Sequence, residues 1–200
     1  APIYIDFGPT SLSATPWNNI TSHQESSTTS WIKDVENNYT NIGVRVLDGF
    51  TATHAGVGSE PASPVTVDGV EFPLTAWKDG LLVKGEKNQG DVGPGRIEIS
   101  QLDVARKYNF TILAIRFNGS KDARISSYKL VGKTESAVKE VKTGIKDAAS
   151  FAAANFEEYI AKFENVEPDS EGKVIVEVKG LDTGSAAEGH INALCISLAK

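Results

Sequence analysis

The sequence predicts an all-β protein: a jelly-roll-type sandwich of about ten short antiparallel strands, forming one domain over residues 1–200. Short runs of β-branched and aromatic residues alternate with turns rich in Gly, Pro, Asn and Asp. The amphipathic helices of about 10 residues that a parallel βαβ architecture requires are missing. With 40% hydrophobic and 23% charged residues, a chain of 200 residues can bury a core of its own.

The strands are expected, in chain order, at 3–7, 42–47, 65–67, 70–72, 80–84, 96–100, 108–117, 125–131, 137–141, 158–163, 173–179 and 191–198. Asp68-Gly69 is a strong hairpin signal between two of them. Residues 108–117 are apolar on both faces, which predicts a central strand that is covered on both sides. The valines of 173–179 share one face, and the lysines point the other way.

Helical signals are weak. Residues 147–155 are rich in alanine and could form two turns, and 103–107 could form one. The polar stretch 10–41 is the least regular part and is expected to run over the sandwich surface.

Composition excludes several classes of protein. The net charge of −6, from 20 basic and 26 acidic residues without a basic stripe, argues against nucleic-acid binding. No apolar run approaches the ~20 residues that span a bilayer. A single cysteine, Cys195, rules out an internal disulfide and a multi-cysteine zinc site. His23, His54 and His190 lack metal-ligand spacing, so no cofactor is expected.

The chain begins with Ala and contains no Met, so it is expected to be processed or trimmed. A removed export signal would explain this, and so would a shortened chain. The first residue does not decide between these two explanations; independently of it, the protein is expected to be secreted, periplasmic or held at the cell surface.

Catalytic motifs are weak, so the chain is expected not to be an enzyme. No Gly-x-Ser-x-Gly elbow occurs. The glycine-rich stretch 85–95 lacks the Gly-Lys-Ser/Thr ending of a phosphate loop and is expected to be a wide turn. Several Asp residues lie near strand ends, but in a chain with 26 acidic residues such carboxylate pairs are poor evidence for glycoside hydrolysis. Asp6 and Asp48 are candidate oxygen ligands of a structural calcium ion.

Aromatic residues in polar loops are more informative, because exposed rings stack on the flat C–H faces of sugars while nearby polar groups fix the orientation. A site at the loop end of the sandwich is therefore predicted from some subset of seven residues: Trp31, Tyr39, His54, Trp77, Asp79, Asp122 and Arg124. The alternative for Trp17 and Trp77 is a role in the core. The alternative for Asp122, with Arg116 and Arg124, is a structural clamp.

Several motifs occur in an order that resembles a known family: Ile3 to Gly8, Pro16-Trp17-Asn18-Asn19, 110–116 with Asp122-x-Arg124, Tyr128-x-x-x-Gly132, and Ile191-Asn192-Ala193-Leu194. The chain resembles the β-sandwich modules of polysaccharide-degrading systems in gut anaerobes. These modules are similar to malectin-like and galactose-binding-like jelly rolls and occur alone or beside SGNH-type esterase domains. The resemblance implies a sandwich fold and sugar binding, and it names no sugar.

The leading hypothesis is therefore a non-catalytic carbohydrate-binding protein that recognises a poly- or oligosaccharide through its loop aromatics. Two alternatives remain open at this point. One is a structural or assembly module that packs on a glycan-degrading partner, and the other is an enzyme that acts on glycosides.

Overall fold

The computed structural model describes residues 1–10, 12–84, 94–117, 124–181 and 188–200. In these residues the chain forms mostly short strands: β1 (Ile3–Phe7), β2 (Trp17–Ile20), β3 (Thr28–Thr29), β4 (Gly43–Asp48), β5 (Ala52–His54), β6 (Val65–Val67), β7 (Val70–Phe72), β8 (Gly80–Lys84), β9 (Gly95–Ser100), β10 (Tyr108–Leu113), β11 (Arg116–Phe117), β12 (Ile125–Val131), β13 (Lys139–Lys142), β14 (Gly144–Ile145), β15 (Ile160–Val166), β16 (Val174–Gly180), β17 (Glu188–Ile191) and β18 (Ala193–Leu198). The helical elements are short: α1 (Leu74–Trp77), α2 (Ala148–Ala152) and a 3-10 turn over Phe156–Tyr159. No helix in the described ranges is long and apolar enough to cross a membrane.

Two sheets form the sandwich and confirm the predicted fold class. One has five strands in the order β15-β10-β18-β1-β2, and the other has six in the order β13-β12-β16-β9-β4-β3. Most neighbours are antiparallel, but β1 pairs with β2 in parallel, as β11 does with β14. A three-stranded sheet, β17-β8-β5, and a small hairpin, β6-β7, complete the strand pairing.

The main core lies between the two large sheets, because alternate residues of the facing strands are apolar. Val174, Val176 and Val178 of β16 are fully buried there, as the shared face of the valines predicts. Strand β10 lies between β15 and β18, and Phe110 and Ile112 point into this core. The predicted central position of this strand is therefore confirmed.

A second apolar cluster covers the outer side of the five-stranded sheet. Leu113 and Cys195 belong to it, together with Trp77, Phe72 and Phe151 from the hairpin and the two short helices. The hairpin turns at Asp68 and Gly69, whose φ values of 51° and 74° suit the left-handed turn that Asp-Gly favours. Asp147 begins α2 by accepting a hydrogen bond of 2.8 Å from the Ser150 amide. The molecule therefore has a third layer beside the sandwich.

Two expected strands are interrupted, and one side chain explains both breaks. The expected strand 191–198 is divided at Asn192, and the expected strand 108–117 is divided at Ala114 and Ile115. Asn192 is fully buried, and its Nδ2 donates to the carbonyl oxygens of Trp77, Asp79 and Ile115 at 2.7–3.0 Å. Its Oδ1 accepts from the Ile115 amide at 2.9 Å. Side-chain hydrogen bonds here replace the ladder bonds that a continuous strand would make.

Other boundaries also differ. Residues 158–163 begin as the 3-10 turn. The expected single turn at 103–107 is present, because the Arg106 amide donates to the Asp103 carbonyl oxygen at 3.0 Å.

Strand register defines the two ends of the sandwich. In the six-stranded sheet, β4 starts at Gly43 opposite Ser100 and finishes at Asp48 opposite Arg96. Gly95 in turn lies opposite Val178, and Gly180 lies opposite Ser126. We call the end where Gly43 pairs with Ser100 the Gly43 end. We call the opposite end, where Asp48, Gly95 and Gly180 lie, the Gly95 end.

Candidate functional site

Six of the seven residues considered for one loop-end site lie in the described part of the chain, and they are divided between these two ends. The hairpin that carries Trp31 and Tyr39 precedes β4 and joins the Gly43 end. The Gly95 end holds His54, Trp77, Asp79 and Arg124. Asp122 lies outside the described residues. The structure therefore does not bring the six described residues to one place, and the ligand-binding role of Asp122 stays a prediction.

Trp31 and Tyr39 expose their rings on one short loop. We call the surface formed by Trp31, Lys33 and Tyr39 the aromatic edge. The exposed fractions of Trp31 and Tyr39 are 65% and 72%. The Lys33 Nζ lies 4.7 Å from the centroid of the Tyr39 ring and covers one of its faces. Trp31 has a φ of 62°, a left-handed conformation that costs a bulky residue on the order of 1–3 kcal/mol. An exposed indole is thus held in an unfavourable backbone conformation.

The loop behind these rings is firmly hydrogen-bonded. Ile32 is buried beneath the aromatic edge, and its carbonyl oxygen accepts from the Thr40 amide at 2.9 Å. The Asp34 Oδ1 accepts from the amides of Glu36 and Asn38 at 3.0 and 2.9 Å. The Asn38 bond lowers the pKa of Asp34, so this carboxylate stays ionised as a turn-forming acceptor. The rings are therefore presented by an ordered scaffold.

Trp77 is in the core, and the expectation that it presents an open ring is wrong. It is fully buried, stacks on Phe151 with centroids 4.8 Å apart, and donates from Nε1 to the Ser63 carbonyl oxygen at 3.1 Å. The apolar surroundings Phe72-Pro73-Leu74 favour this outcome, because a large ring beside an apolar hairpin closes the second cluster. A sugar has no access to either face of this indole.

Asp79 is also fully buried, and it lies beside a second enclosed carboxyl group, Asp6. The Asp79 Oδ2 accepts from the amide and hydroxyl of Thr10 at 3.1 and 3.0 Å. Asp6, which is 2% exposed, accepts from the Ser13 amide at 3.2 Å. Burial, aided by the charge of Asp79, raises the pKa of Asp6 to about 7. The charge of Asp79 acts on Asp6, and the two carboxyl groups hold Thr10 and Ser13 by hydrogen bonds.

Gly8 is required at this point. A Cβ there would lie 2.4 Å from the Asp79 carboxyl carbon. The absence of a side chain lets the backbone pass close to the buried carboxylate.

Metal-ligating residues do not gather in the part of the chain that the structure describes, where no group of three or more His, Cys, Asp or Glu side chains could hold an ion. The two carboxylates considered for calcium lie in different sheets. Asp6 belongs to β1, whereas Asp48 belongs to β4 and pairs with the Arg96 Nη1 at 2.5 Å. Asp6 and Asp48 therefore do not form a calcium site together, and calcium binding stays a prediction.

His54 and Arg124 do come together at the Gly95 end, in a group that also contains Arg116, Glu188 and His190. We call these five residues the arginine–histidine cluster. The Arg124 Nη2 lies 3.1 Å from the Glu188 Oε2, and the Arg116 Nη1 lies 3.4 Å from the His54 Nδ1. The imidazole rings of His54 and His190 meet edge to face with centroids 5.1 Å apart. Both rings and Arg124 are at least 95% buried.

Backbone bonds fix the two arginines relative to each other. The Thr143 amide donates to the Arg124 carbonyl oxygen at 2.9 Å, and the Thr143 carbonyl oxygen accepts from the Arg116 amide at 2.7 Å. His190 is held by its own amide, which donates to the Ser126 Oγ at 2.8 Å, and by its carbonyl oxygen, which accepts from the Tyr128 hydroxyl.

The charge states in the cluster follow from burial. Burial lowers the pKa of His190, and it lowers that of His54 well below the usual range, with the neighbouring His190 and Arg116 acting in the same direction. The His190 Nε2 lies 3.4 Å from the Glu188 Oε2, and this contact, together with Arg124, lowers the pKa of Glu188 to about 2. Near neutral pH the cluster therefore contains two guanidinium groups, one carboxylate and two neutral imidazoles.

Sequence reasoning missed Glu188 and His190. They are two residues apart on β17 and share a side, but nothing local links them to His54. The link is made by β8, which pairs with β5 on one edge and with β17 on the other. Asn18 was also missed as a structural residue, although the resemblance drew attention to its motif.

No protein-family model matches the chain, and no curated protein matches it. Three solved structures are similar to it. They are TmCBM61 in complex with β-1,4-galactotriose (TM-score 0.34, 16% identity, 60% of this chain and 71% of that chain), the plant receptor-like kinase ANX1 (0.40, 9%, 64% and 33%), and CBM51-2 in complex with GlcNAc and INT domains from Clostridium perfringens ZmpB (0.34, 11%, 84% and 36%). All three TM-scores lie below 0.5, so these similarities assign the chain to no family.

Proposed function

We propose that this chain is a non-catalytic carbohydrate-binding module and that the aromatic edge is its binding surface. The observation that carries the proposal is the exposure of Trp31 and Tyr39 on one hydrogen-bonded loop. Soluble proteins seldom leave a Trp and a Tyr so open without a partner, since both rings gain free energy when they are covered.

The chemistry suits a sugar. Pyranose rings offer flat C–H faces for stacking on an indole or phenol, and the hydroxyl groups need donors and acceptors close by. Lys33, Asn37 and Asn41 stand on the same loop as the two rings and can supply them. The Lys33 Nζ donates to the Asn37 Oδ1 at 2.9 Å, so both groups are already ordered. Such an open site is expected to bind with micromolar to millimolar affinity, about −4 to −8 kcal/mol.

Residue Trp31 supports the proposal in a second way. Its left-handed φ costs folding free energy, and the exposed indole recovers little of it by packing. Unfavourable backbone conformations concentrate at functional sites, where a particular direction of the side chain is required. A ligand stacked on Trp31 would account for both the exposure and the conformation.

The test is a polysaccharide screen by affinity gel electrophoresis, followed by isothermal titration calorimetry on any polymer that retards the protein. Trp31→Ala and Tyr39→Ala should each weaken binding by about 1–3 kcal/mol, by analogy with the stacking of bases on aromatic side chains. Leu12→Ala is the matched control, because Leu12 is also 65% exposed but lies in the 8–13 segment, near Asp6.

Two outcomes would contradict the proposal. One is the absence of any retardation across neutral and acidic polysaccharides. The other is retardation that Trp31→Ala and Tyr39→Ala leave at the level of the Leu12→Ala control. If a glycan-degrading protein co-purified through these rings in place of a sugar, the aromatic edge would be an assembly surface instead. A location outside the cell or at its surface belongs to the same proposal, because polysaccharides are met there.

A further inference from the structure

The arginine–histidine cluster contains more hydrogen-bond donors than acceptors. In the described residues, the Nε and Nη1 of Arg124, the Nε of Arg116 and the Nε2 of His54 are buried without a partner. Since the His54 Nδ1 accepts from Arg116, the proton of this neutral imidazole belongs on Nε2, which is then a donor too. Four unpaired donors at one place are unusual, because a buried N–H without an acceptor costs about 1–3 kcal/mol.

Charge is also unbalanced within the cluster. Two guanidinium groups face one carboxylate, Glu188. The next acidic group that acts on Arg116 is Glu60, but its two carboxylate oxygens already accept from the amides of Val57 and Gly58. Among the described residues, Glu188 is therefore the one carboxylate of the cluster, and Arg116 forms no ion pair within 4 Å in a half-buried setting, where unpaired charge is costly.

We infer that the arginine–histidine cluster is a binding site for the carboxylate group of a small ligand. A carboxylate supplies the missing acceptor oxygens, and arginine pairs with it through short charge-assisted hydrogen bonds. It also supplies one negative charge, which is the amount that the cluster lacks. A sulfate or phosphate dianion would exceed this amount and would be repelled by Glu188. This site is independent of the aromatic edge, which lies at the other end of the sandwich.

A ligand can approach this site at Arg116 and Glu188, because these two residues are partly exposed. Arg116 is half-buried, and the side chain of Glu188 is 17% exposed, whereas Arg124 and His190 are buried. A ligand would thus meet Arg116 first and reach the unpaired donors of Arg124 behind it. This order makes Arg116 the residue to alter, because its replacement does not leave a fully buried Glu188 unpaired.

The experiment is a titration of the whole chain with sodium galacturonate, sodium acetate, sodium sulfate and neutral galactose at constant ionic strength. The first readout is the set of arginine Nε–Hε signals in proton–nitrogen NMR spectra, and the second is calorimetry. The chain has five arginines, so the signals can be assigned with single variants. Galacturonate should shift the signals of Arg116 and Arg124 and should bind at least tenfold more tightly than galactose.

The titration with acetate shows which class of carboxylate the site binds. If acetate shifts the same two signals as galacturonate does, the site takes small carboxylates in general. If only galacturonate does so, the site takes sugar acids.

Arg116→Gln should weaken galacturonate binding at least tenfold, and Arg106→Gln, at a 65% exposed side chain, is the matched control. The assignment is overturned if no anion moves the Arg116 and Arg124 signals, if Arg116→Gln binds as the wild type does, or if sulfate binds more tightly than either carboxylate. Because the NMR readout uses the wild-type protein, it holds even if a variant folds poorly. Failure here and failure of the aromatic edge are distinguishable, because this site is read from the Arg116 and Arg124 signals, whereas the aromatic edge is tested with Trp31→Ala and Tyr39→Ala in the polysaccharide screen.

Discussion

The side chain of Asn18 pairs with both backbone groups of Lys33. Its Oδ1 accepts from the Lys33 amide and its Nδ2 donates to the Lys33 carbonyl oxygen, both at 2.8 Å. The same Nδ2 donates to the Tyr4 carbonyl oxygen at 2.9 Å. One amide thus joins strands β1 and β2 to the loop that carries the aromatic edge, which positions Trp31 and Tyr39 although it contacts no ligand itself.

Asn18→Ala is expected to loosen this loop. Loss of hydrogen bonds to two backbone groups of Lys33 should cost about 1–3 kcal/mol of unfolding free energy. Sugar binding by the aromatic edge should weaken because both rings lose their fixed positions. Amide hydrogen exchange at residues 31–40 measures the loosening. Asn41→Ala, an exposed asparagine on the same loop, is the control for stability, and equal exchange in the two variants would contradict the role of Asn18.

The left-handed backbone of Trp31 predicts an order of stability between two substitutions. Glycine adopts a φ of 62° without steric cost, whereas alanine does not. Trp31→Gly should therefore be about 1 kcal/mol more stable than Trp31→Ala, although neither should bind sugar by stacking. Urea unfolding of the two variants measures the difference. The reverse order would show that the backbone at this residue is unstrained.

Trp77→Ala should destabilise the protein strongly, because it empties a fully buried position in the second apolar cluster. Removal of a large core aromatic residue costs about 3–5 kcal/mol. Trp31→Ala serves as its matched tryptophan control, with an expected change within about 0.5 kcal/mol. Thermal unfolding followed by near-ultraviolet circular dichroism separates the two. Similar stability losses would contradict the assignment of one ring to the core and the other to the surface.

Asp6 should make stability depend on pH. Its pKa is raised from 3.8 to about 7 in the folded protein, so between pH 4 and pH 7 the folded state binds a proton that the unfolded state has released. The contribution of Asp6 to the unfolding free energy therefore falls as the pH rises through this range. Asp6→Asn stays neutral, and its stability relative to the wild type should increase by up to ~1.4 kcal/mol per pH unit up to pH 7.

Urea unfolding of both proteins at pH 5 and pH 8 gives this difference directly. Glu164→Gln, at an exposed carboxyl, is the control substitution. Parallel stability curves for Asp6→Asn and the wild type would contradict the raised pKa.

Local patterns were enough to predict most of the sandwich. Apolar residues on both faces of 108–117 predict a strand covered on both sides, and Phe110 and Ile112 indeed lie in one apolar cluster while Leu113 and Ile115 lie in the other. Alternation carries this information because side chains of an extended chain leave on opposite sides. It does not show where such a strand stops. The break at Ala114 and Ile115 depends on Asn192, which is distant in sequence.

The candidate sites were less predictable, for the same reason. The exposure of Trp31 and Tyr39 follows from their polar neighbours, whereas the position of Trp77 depended on a choice between two interpretations of one apolar stretch. His54, Arg124 and His190 meet only because β5, β8 and β17 pair side by side. No spacing in the sequence encodes that order of strands, so one predicted site became two separate regions.

Cys195 gives the protein a built-in reporter of breathing motions. Its thiol lies beneath the third layer on β18, where burial raises its pKa, so the native state should react very slowly with alkylating reagents. Because no other cysteine is present, any modification reports an opening at this one position. The labelling rate as a function of urea would show whether the outer layer lifts away before the sandwich unfolds or only together with it.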